Sequence, residues 1–134
     1  MSKINSITTL MNTTSAPIGR LLISFMFLMS GLNKVGNYSN TSGWMEAMGV
    51  SGSLLPLVII FEILAAVAVI VGWQTKIAAF LLAGFCILSG LIFHSNFNNQ
   101  VEMIMFMKNI AIAGGFLVLV ANGAGKYSFD NRKK

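Results

Sequence analysis

The chain has 134 residues, the usual length of one domain, but 55% of them are hydrophobic, only 10% are charged, and the mean hydropathy is +0.76. These values exclude an ordinary water-soluble domain and place the chain in a bilayer. The net charge of +5 does not predict nucleic-acid binding, because the basic residues are scattered or terminal and form no basic face. With one cysteine and one histidine, the chain alone offers no disulfide, multi-cysteine metal site or bis-histidine haem, and we predict no metal.

The first membrane span is predicted at residues 18–33, after a polar segment. Residues 1–16 are rich in Ser, Thr and Asn, and we expect a loose cytoplasmic tail there. Pro17 suits the first turn of a helix. Arg20 and Lys34 flank the span and can lengthen it by snorkelling, so Arg20 is expected to anchor the chain at the cytoplasmic headgroups.

A polar loop, residues 36–53, follows the first span, and its segment Trp44–Met48 suits a short amphipathic turn at the membrane interface. Trp44 itself is typical of an interfacial aromatic residue. Glu62 lies inside the next apolar run, where an ionisable side chain needs a partner or a wet cavity. The remaining apolar runs predict three further spans, at about 54–72, 77–93 and 103–121, before a basic tail at 123–134.

Positive charge predicts the orientation of these four spans. Seven basic residues lie in the N-terminal region, in the turn at Lys76 and in the C-terminal tail, whereas the other two loops hold only Lys34. Both termini are therefore expected to be cytoplasmic. The predicted fold class is all-α, an integral membrane four-helix bundle over residues 17–122, in a bacterial inner membrane.

Polar residues of the separate spans converge on the outward half of this bundle. At about 1.5 Å per residue, Glu62 lies about 12 Å and Lys108 about 8 Å below the outer surface. We predict that these two residues form an ion pair, with Lys34 sharing in it. The alternative is a buried pair that only fixes helix register and binds nothing.

Lys34, His94 and Asn109 complete the candidate pocket, with Lys34 and His94 at its outward mouth. His94 either caps its helix end or serves in proton transfer or recognition of a quinone oxygen, because an unperturbed pKa of about 6.5 suits both chemical roles. Arg20 and Trp44 are secondary candidates. Cys86, within an apolar run, is expected to serve packing.

Several short motifs, in order, resemble those of the DoxX family of small four-helix inner-membrane proteins. They are Ser30-Gly31-Leu32-Asn33-Lys34, the carboxylate span FEILAAVAVIVGW, the Lys76 turn, His94, the pair Lys108-Asn109 and the closing GAGKYSFD. The resemblance covers about residues 17–130.

This resemblance implies a membrane subunit or accessory of a quinone- or thiol-linked redox process, since some relatives are named for thiosulfate:quinone oxidoreductase and others are linked to thiol and oxidative stress. By that analogy, Glu62, Lys108, Asn109, Lys34 and His94 bind a quinone head group or a small anion. A quinone is then the expected cofactor, and other membrane or redox subunits or further copies of the chain are the expected partners.

Two rival functions stay open. A transporter or channel for a small solute equally requires buried charges and a polar mouth, although the inward half has no ionisable lining beyond Arg20. A non-catalytic scaffold needs the charges only to hold its helices together. No self-contained catalytic motif identifies an enzyme, and the substrate and oligomeric state are left open.

Overall fold

The computed structural model describes residues 2–132, and over that range the chain is all-helical. Four of its helices are long and apolar enough to cross a membrane, by length and composition, so the predicted fold class is confirmed. The orientation of the termini stays a prediction. The helices are α1 (Ser2–Gly36), α2 (Tyr38–Ala47), α3 (Leu55–Val71), α4 (Thr75–Phe93) and α5 (Gln100–Asn122), with a short 3-10 turn at Gly52–Leu54.

Helix α1 begins far earlier than the sequence suggested. It runs unbroken through Pro17 from Ser2, so the expected loose tail at residues 2–16 is helical instead. Threonine hydroxyls in this stretch donate to backbone carbonyls one turn earlier, as Thr9 Oγ1 does to Asn5 O at 2.8 Å. These bonds satisfy the polar side chains within the helix, and Pro17 removes only one N–H. With 35 residues, α1 is about 52 Å long, longer than a hydrocarbon layer is thick.

The four long helices form two tightly packed pairs, α1 with α3 and α4 with α5. The pairs meet through α3 against α4 and, more narrowly, through α1 against α5. Small residues on α3 and α4 permit the close contact expected of membrane helices. The central core contains Ala65, Ala66, Val69, Ala78, Ala79, Leu82, Ala83, Cys86, Ala113, Phe27 and Phe116.

The two ends of the bundle are covered differently. At one end, here called the α2 end, the loop predicted at residues 36–53 contains a whole helix, α2, and Met45 of α2 is buried with Leu55 and Ile59 of α3. The other end, called the C-terminal end, holds the turn between α3 and α4 and the segment after α5. Gly72 closes α3 there with φ +78°, a conformation that glycine adopts without strain.

Arg20 holds the C-terminal end together and is not the headgroup anchor that we expected. Its side chain is only 2% exposed. Its guanidinium donates to Val69 O at 3.2 Å, to Ile70 O at 2.9 Å and to Tyr127 O. Carbonyls at a helix C-terminus have no partner within the helix, so Arg20 supplies donors to the end of α3 and ties the C-terminal segment to it.

Asp130 completes this joint by capping the N-terminus of α4. Its carboxylate accepts hydrogen bonds from the backbone N–H of Gln74 at 2.7 Å and of Thr75 at 2.9 Å. Its own N–H donates to Gly72 O at 2.8 Å. The C-terminal segment therefore satisfies backbone groups of both helices that meet at the turn.

Candidate functional site

A cavity of about 410 Å³ lies between the two helix pairs at the α2 end. Its volume falls in the range of small-molecule sites. Most of its wall is apolar, with a few polar groups. Its lining comes from all five helices: Met26, Phe27, Ser30 and Lys34 of α1, Thr41, Trp44 and Met45 of α2, Val58 and Glu62 of α3, Phe85, Cys86, Leu88, Ser89, Ile92 and Phe93 of α4, and Met105 and Asn109 of α5, together with Val50, Leu54 and His94.

An ion pair between Lys34 and Glu62 forms the polar part of this wall. Lys34 Nζ lies 2.9 Å from Glu62 Oε1 and 3.1 Å from Oε2, and it also donates to Ser30 Oγ at 2.7 Å. Glu62 is 2% exposed and Lys34 22%. Both side chains line the cavity, and that of Lys34 is the more exposed of the two.

The predicted pair of Glu62 with Lys108 is wrong, because Lys34 takes the place that we assigned to Lys108. Helix α5 packs on α4 and not on α3, so Lys108 and Glu62 lie in similar layers but on helices that are not neighbours. Lys108 is exposed and forms no ion pair within residues 2–132. Depth along a helix can be estimated from residue number, but the order of the helices around the bundle cannot.

Gly31 explains why α1 can bring Lys34 to the carboxylate. A side chain at this position would place its Cβ 2.6 Å from Ile63 Cγ1 and 3.5 Å from Glu62 Cβ. Only a glycine therefore fits this contact between α1 and α3 without displacing Ile63. Lys34 lies almost one turn further along α1 and reaches across the contact.

Asn109 faces the cavity, as expected, but from α5 against α4. Its side-chain amide donates to Ser89 Oγ at 3.4 Å, and it packs against Gly90. The amide oxygen has no partner among the hydrogen bonds of the described residues. Asn109 and Ser89 therefore offer neutral polar groups on the wall opposite the ion pair.

His94 and Trp44 lie at the mouth of the cavity. His94 Nδ1 is 3.2 Å from Glu102 Oε2 of α5, a contact that joins the two ends of the α4–α5 turn. Trp44 stacks on Phe93 with ring centroids 4.6 Å apart and lies 6.3 Å from the His94 ring. Trp44 is thus part of the cover over the cavity, although it is half-exposed as an interfacial residue would be.

Chemically, the cavity offers a compensated charge pair and several neutral polar groups in an otherwise apolar space. Lys34 and His94 can hold or donate a proton, and Asn109 and Ser89 can donate or accept hydrogen bonds. Within residues 2–132, no group of three or more His, Cys, Asp or Glu residues could hold a metal ion. The arrangement suits a mostly apolar molecule with one polar, uncharged end.

Sequence reasoning missed several members of this site. Glu102 was passed over, although Asn99 three residues before it matches a helix N-cap pattern: the Asn99 side chain accepts from Val101 N and Glu102 N. Ser30 was seen only as part of a motif. The apolar lining residues, such as Met26 and Met105, carry no pattern that distinguishes them from lipid-facing residues.

A family profile matches most of the part of the chain that forms this architecture. The sequence profile of the DoxX family matches residues 16–95, which include the second part of α1, all of α2 to α4 and both members of the ion pair. The chain belongs to the DoxX family. The resemblance found in the sequence motifs is therefore confirmed for this family protein.

The names of two relatives agree with the membrane assignment of this DoxX protein. It is 44% identical over 113 residues to inner membrane protein YqjF of Escherichia coli, with 84% of this chain and 87% of that one covered. It is 29% identical over 122 residues to inner membrane protein YphA of the same organism, at 86% and 87% coverage. The DoxX protein is thus a multi-pass inner-membrane protein.

A more distant similarity reaches a eukaryotic protein. The chain is 31% identical over 123 residues to a Surfeit locus protein 4 homolog of Schizosaccharomyces pombe, covering 87% of this chain but 36% of that protein. No solved structure gives a match.

Proposed function

We propose that this DoxX protein binds the head group of a quinone in the cavity at the α2 end and acts there as a membrane subunit or accessory of a redox process. The observation that carries the proposal is the Lys34–Glu62 pair on the wall of a mostly apolar cavity. An ion pair used only for packing needs no cavity beside it. Here both side chains line the cavity, and that of Lys34 stays partly exposed.

The cavity fits a quinone head group in size and in chemistry. A volume of about 410 Å³ accommodates a substituted six-membered ring with part of a tail. Lys34 on one wall and the Asn109 amide on the other can donate hydrogen bonds to carbonyl oxygens on opposite sides of the ring. Because Glu62 compensates Lys34, the site favours a polar but uncharged group over a free anion.

His94 and Lys34 are the proton-handling groups in this proposal. Reduction of a quinone to a quinol takes up two electrons and two protons, so carbonyl oxygens become hydroxyls. His94, at the mouth beside Glu102, can pass protons between water and the cavity. A partner redox protein supplies or takes the electrons, and by the positive-inside rule the α2 end faces the periplasm.

Binding of decylubiquinone to purified protein in lipid nanodiscs tests the proposal. We expect saturable binding at one site per chain, weakened about ten-fold by Lys34→Met, because the lost hydrogen bond to a carbonyl oxygen is worth roughly 1.5 kcal/mol. Lys126→Met, which removes an exposed lysine at the C-terminal end, is the matched control and should bind like the unaltered protein.

The same preparation separates the rival functions. Absence of saturable quinone binding, with solute flux into proteoliposomes, would favour a transporter. Between the cavity and the C-terminal end, the rings of Phe27 and Phe116 pack with centroids 5.6 Å apart, which argues against that alternative. Neither binding nor flux would leave a scaffold.

A further inference from the structure

The residues that surround the cavity differ from side to side in how closely they pack, and this bears on where a ligand can enter. Towards the bundle end, the cavity is covered by α2, whose Thr41, Trp44 and Met45 belong to its lining. Trp44 is stacked on Phe93, and Met45 is 5% exposed. The direct route from water therefore passes a packed cover.

The side between α3 and α4 is packed more extensively than the side between α1 and α5. Phe93 of α4 packs against the buried cluster of Met45, Leu55 and Ile59 near the α2 end. Deeper, Phe61 of α3 and Phe85 of α4 lie with centroids 5.4 Å apart. Because Phe61 directly precedes Glu62, this ring pair joins α3 and α4 at the level of the ion pair.

The side between α1 and α5 is different. The side-chain contacts that join these helices lie deep: Gly115 lies against Ile23, and Phe27 packs on Phe116. Both α5 residues are six or more positions past Asn109, which is about 9 Å or more further from the α2 end. Met26 directly precedes Phe27 and so lies at the deep edge of this side, whereas Met105 lies ten positions before Gly115, about 15 Å nearer the α2 end. Both methionines line the cavity and are exposed, Met26 to 47% and Met105 to 39%.

We propose that the cavity opens sideways to the acyl chains between α1 and α5, that Met26 and Met105 form this opening, and that the ligand is an amphiphile whose long apolar tail remains in the opening. The proposal rests on the function proposed above and adds to it a class of ligand and a route. Methionine suits such an opening because its unbranched, flexible side chain moves aside readily.

Lys108 lies at the edge of the same opening. On α5 it is three positions past Met105 and seven before Gly115, the residue that meets α1, so all three share a helix face. Its exposed ammonium has no acidic partner within residues 2–132. It can snorkel to lipid phosphates and so keeps the rim of the opening near the headgroup layer.

The test follows the rate of ligand binding through Trp44, which lines the cavity. Trp73→Phe removes the other tryptophan, which is exposed at the C-terminal end. Stopped-flow quenching by decylubiquinone, and by the same ring without its tail, then reports the approach of each ligand to Trp44 in nanodiscs.

Met26→Phe and Met105→Phe place stiff rings in the opening, and we expect the double variant to slow binding of the tailed quinone about ten-fold. Met26→Ala with Met105→Ala should accelerate it. The matched control is Met29→Phe with Met107→Phe, exposed methionines of the same helices that do not line the cavity, and this variant should behave as the parent.

Equal rates in the opening variants and in the control, with saturable binding intact, would overturn the sideways route while leaving the proposed function standing. Slowing by Leu88→Phe alone, at an exposed residue of α4 that also lines the cavity, would place the opening beside α4 and also overturn it. Absence of saturable quenching in every variant would instead contradict the proposed function.

Discussion

Arg20 and Lys34 lie about four turns apart on one face of α1, and they meet opposite surroundings. Arg20 is sealed and bonded to backbone carbonyls of α3 and of the C-terminal segment. Lys34 is bonded to a carboxylate and stays open to a cavity. Buried positive charge in a membrane helix therefore serves structure when its partners are helix ends, and it can serve binding when they border an internal space.

The largest expected effect is the loss of stability on substitution of Arg20, which lies at the C-terminal end and away from the cavity. Arg20→Ala leaves the carbonyls of Ile70 and Tyr127 without a donor and removes one of two donors from that of Val69. We expect a loss of about 4 kcal/mol in unfolding free energy, at roughly 1–3 kcal/mol for each buried group left unpaired. Thermal unfolding in detergent measures it, with Lys126→Ala as the control. Quinone affinity of the folded fraction should not change, and a selective loss of affinity would break the contrast between the ends.

At the α2 end, a double-mutant cycle on the ion pair comes next. Lys34→Met leaves Glu62 buried without its partner and should cost about 3 kcal/mol. Glu62→Gln should cost roughly 1.5 kcal/mol, because the amide still accepts from Lys34. The double variant should cost about 2 kcal/mol less than the two single effects together. Strict additivity in chemical unfolding would mean that the pair is not coupled.

Gly72→Ala sharpens the account of the C-terminal end. An alanine Cβ there would lie 2.4 Å from Ser128 Cβ and 2.6 Å from an Arg20 guanidinium nitrogen, in a backbone with φ +78°. Gly49→Ala has a similar φ of +85° but meets nothing within 4 Å. We expect unfolding free energy to fall by about 3 kcal/mol in Gly72→Ala and by about 1 kcal/mol in Gly49→Ala. Thermal unfolding of both variants therefore distinguishes the steric contact at Gly72 from the backbone strain that the two positions share. Equal losses would show that the C-terminal segment does not press on Gly72.

The smallest expected effect is a pH dependence from Asp130. Burial alone would raise the pKa of this carboxyl group, but hydrogen bonds from Thr75 and Gln74 and the charge of Arg20 lower the pKa below its ordinary value. The contribution of Asp130 to folding stability is therefore complete above the pKa of about 3.9 that the group has in the unfolded chain. It is lost as pH falls through the lower pKa of the folded protein.

Asp130→Ala should cost about 1 kcal/mol at pH 7, as loss of a helix cap does, and should flatten the fall in stability below pH 4. Melting temperatures between pH 7 and pH 3 measure this, with the exposed Glu46→Ala as control. If the melting temperature of Asp130→Ala fell below pH 4 as steeply as that of the unaltered protein, the capping role would be contradicted.

The lengths of the apolar runs were enough to predict four spans from the sequence. The free-energy cost of placing a charged side chain inside a membrane was enough to show that Glu62 needs a partner. Neither could choose between Lys34 and Lys108, because that choice depends on which helices are neighbours, and α5 packs on α4. Arg20 was misjudged for a related reason. Its acceptors, Val69, Ile70 and Tyr127, lie far away in the sequence and are backbone groups, which no side-chain pattern reveals.

Photolabelling with an azido-quinone in native-lipid nanodiscs, read by mass spectrometry, tests the central claim most directly. The account predicts that labels concentrate on cavity-lining stretches of α1 and α4, residues 26–34 and 85–94, and that excess decylubiquinone suppresses them. Labels spread evenly over exposed positions outside the cavity, such as Leu57 and Leu64 on α3, and unaffected by competitor, would contradict it.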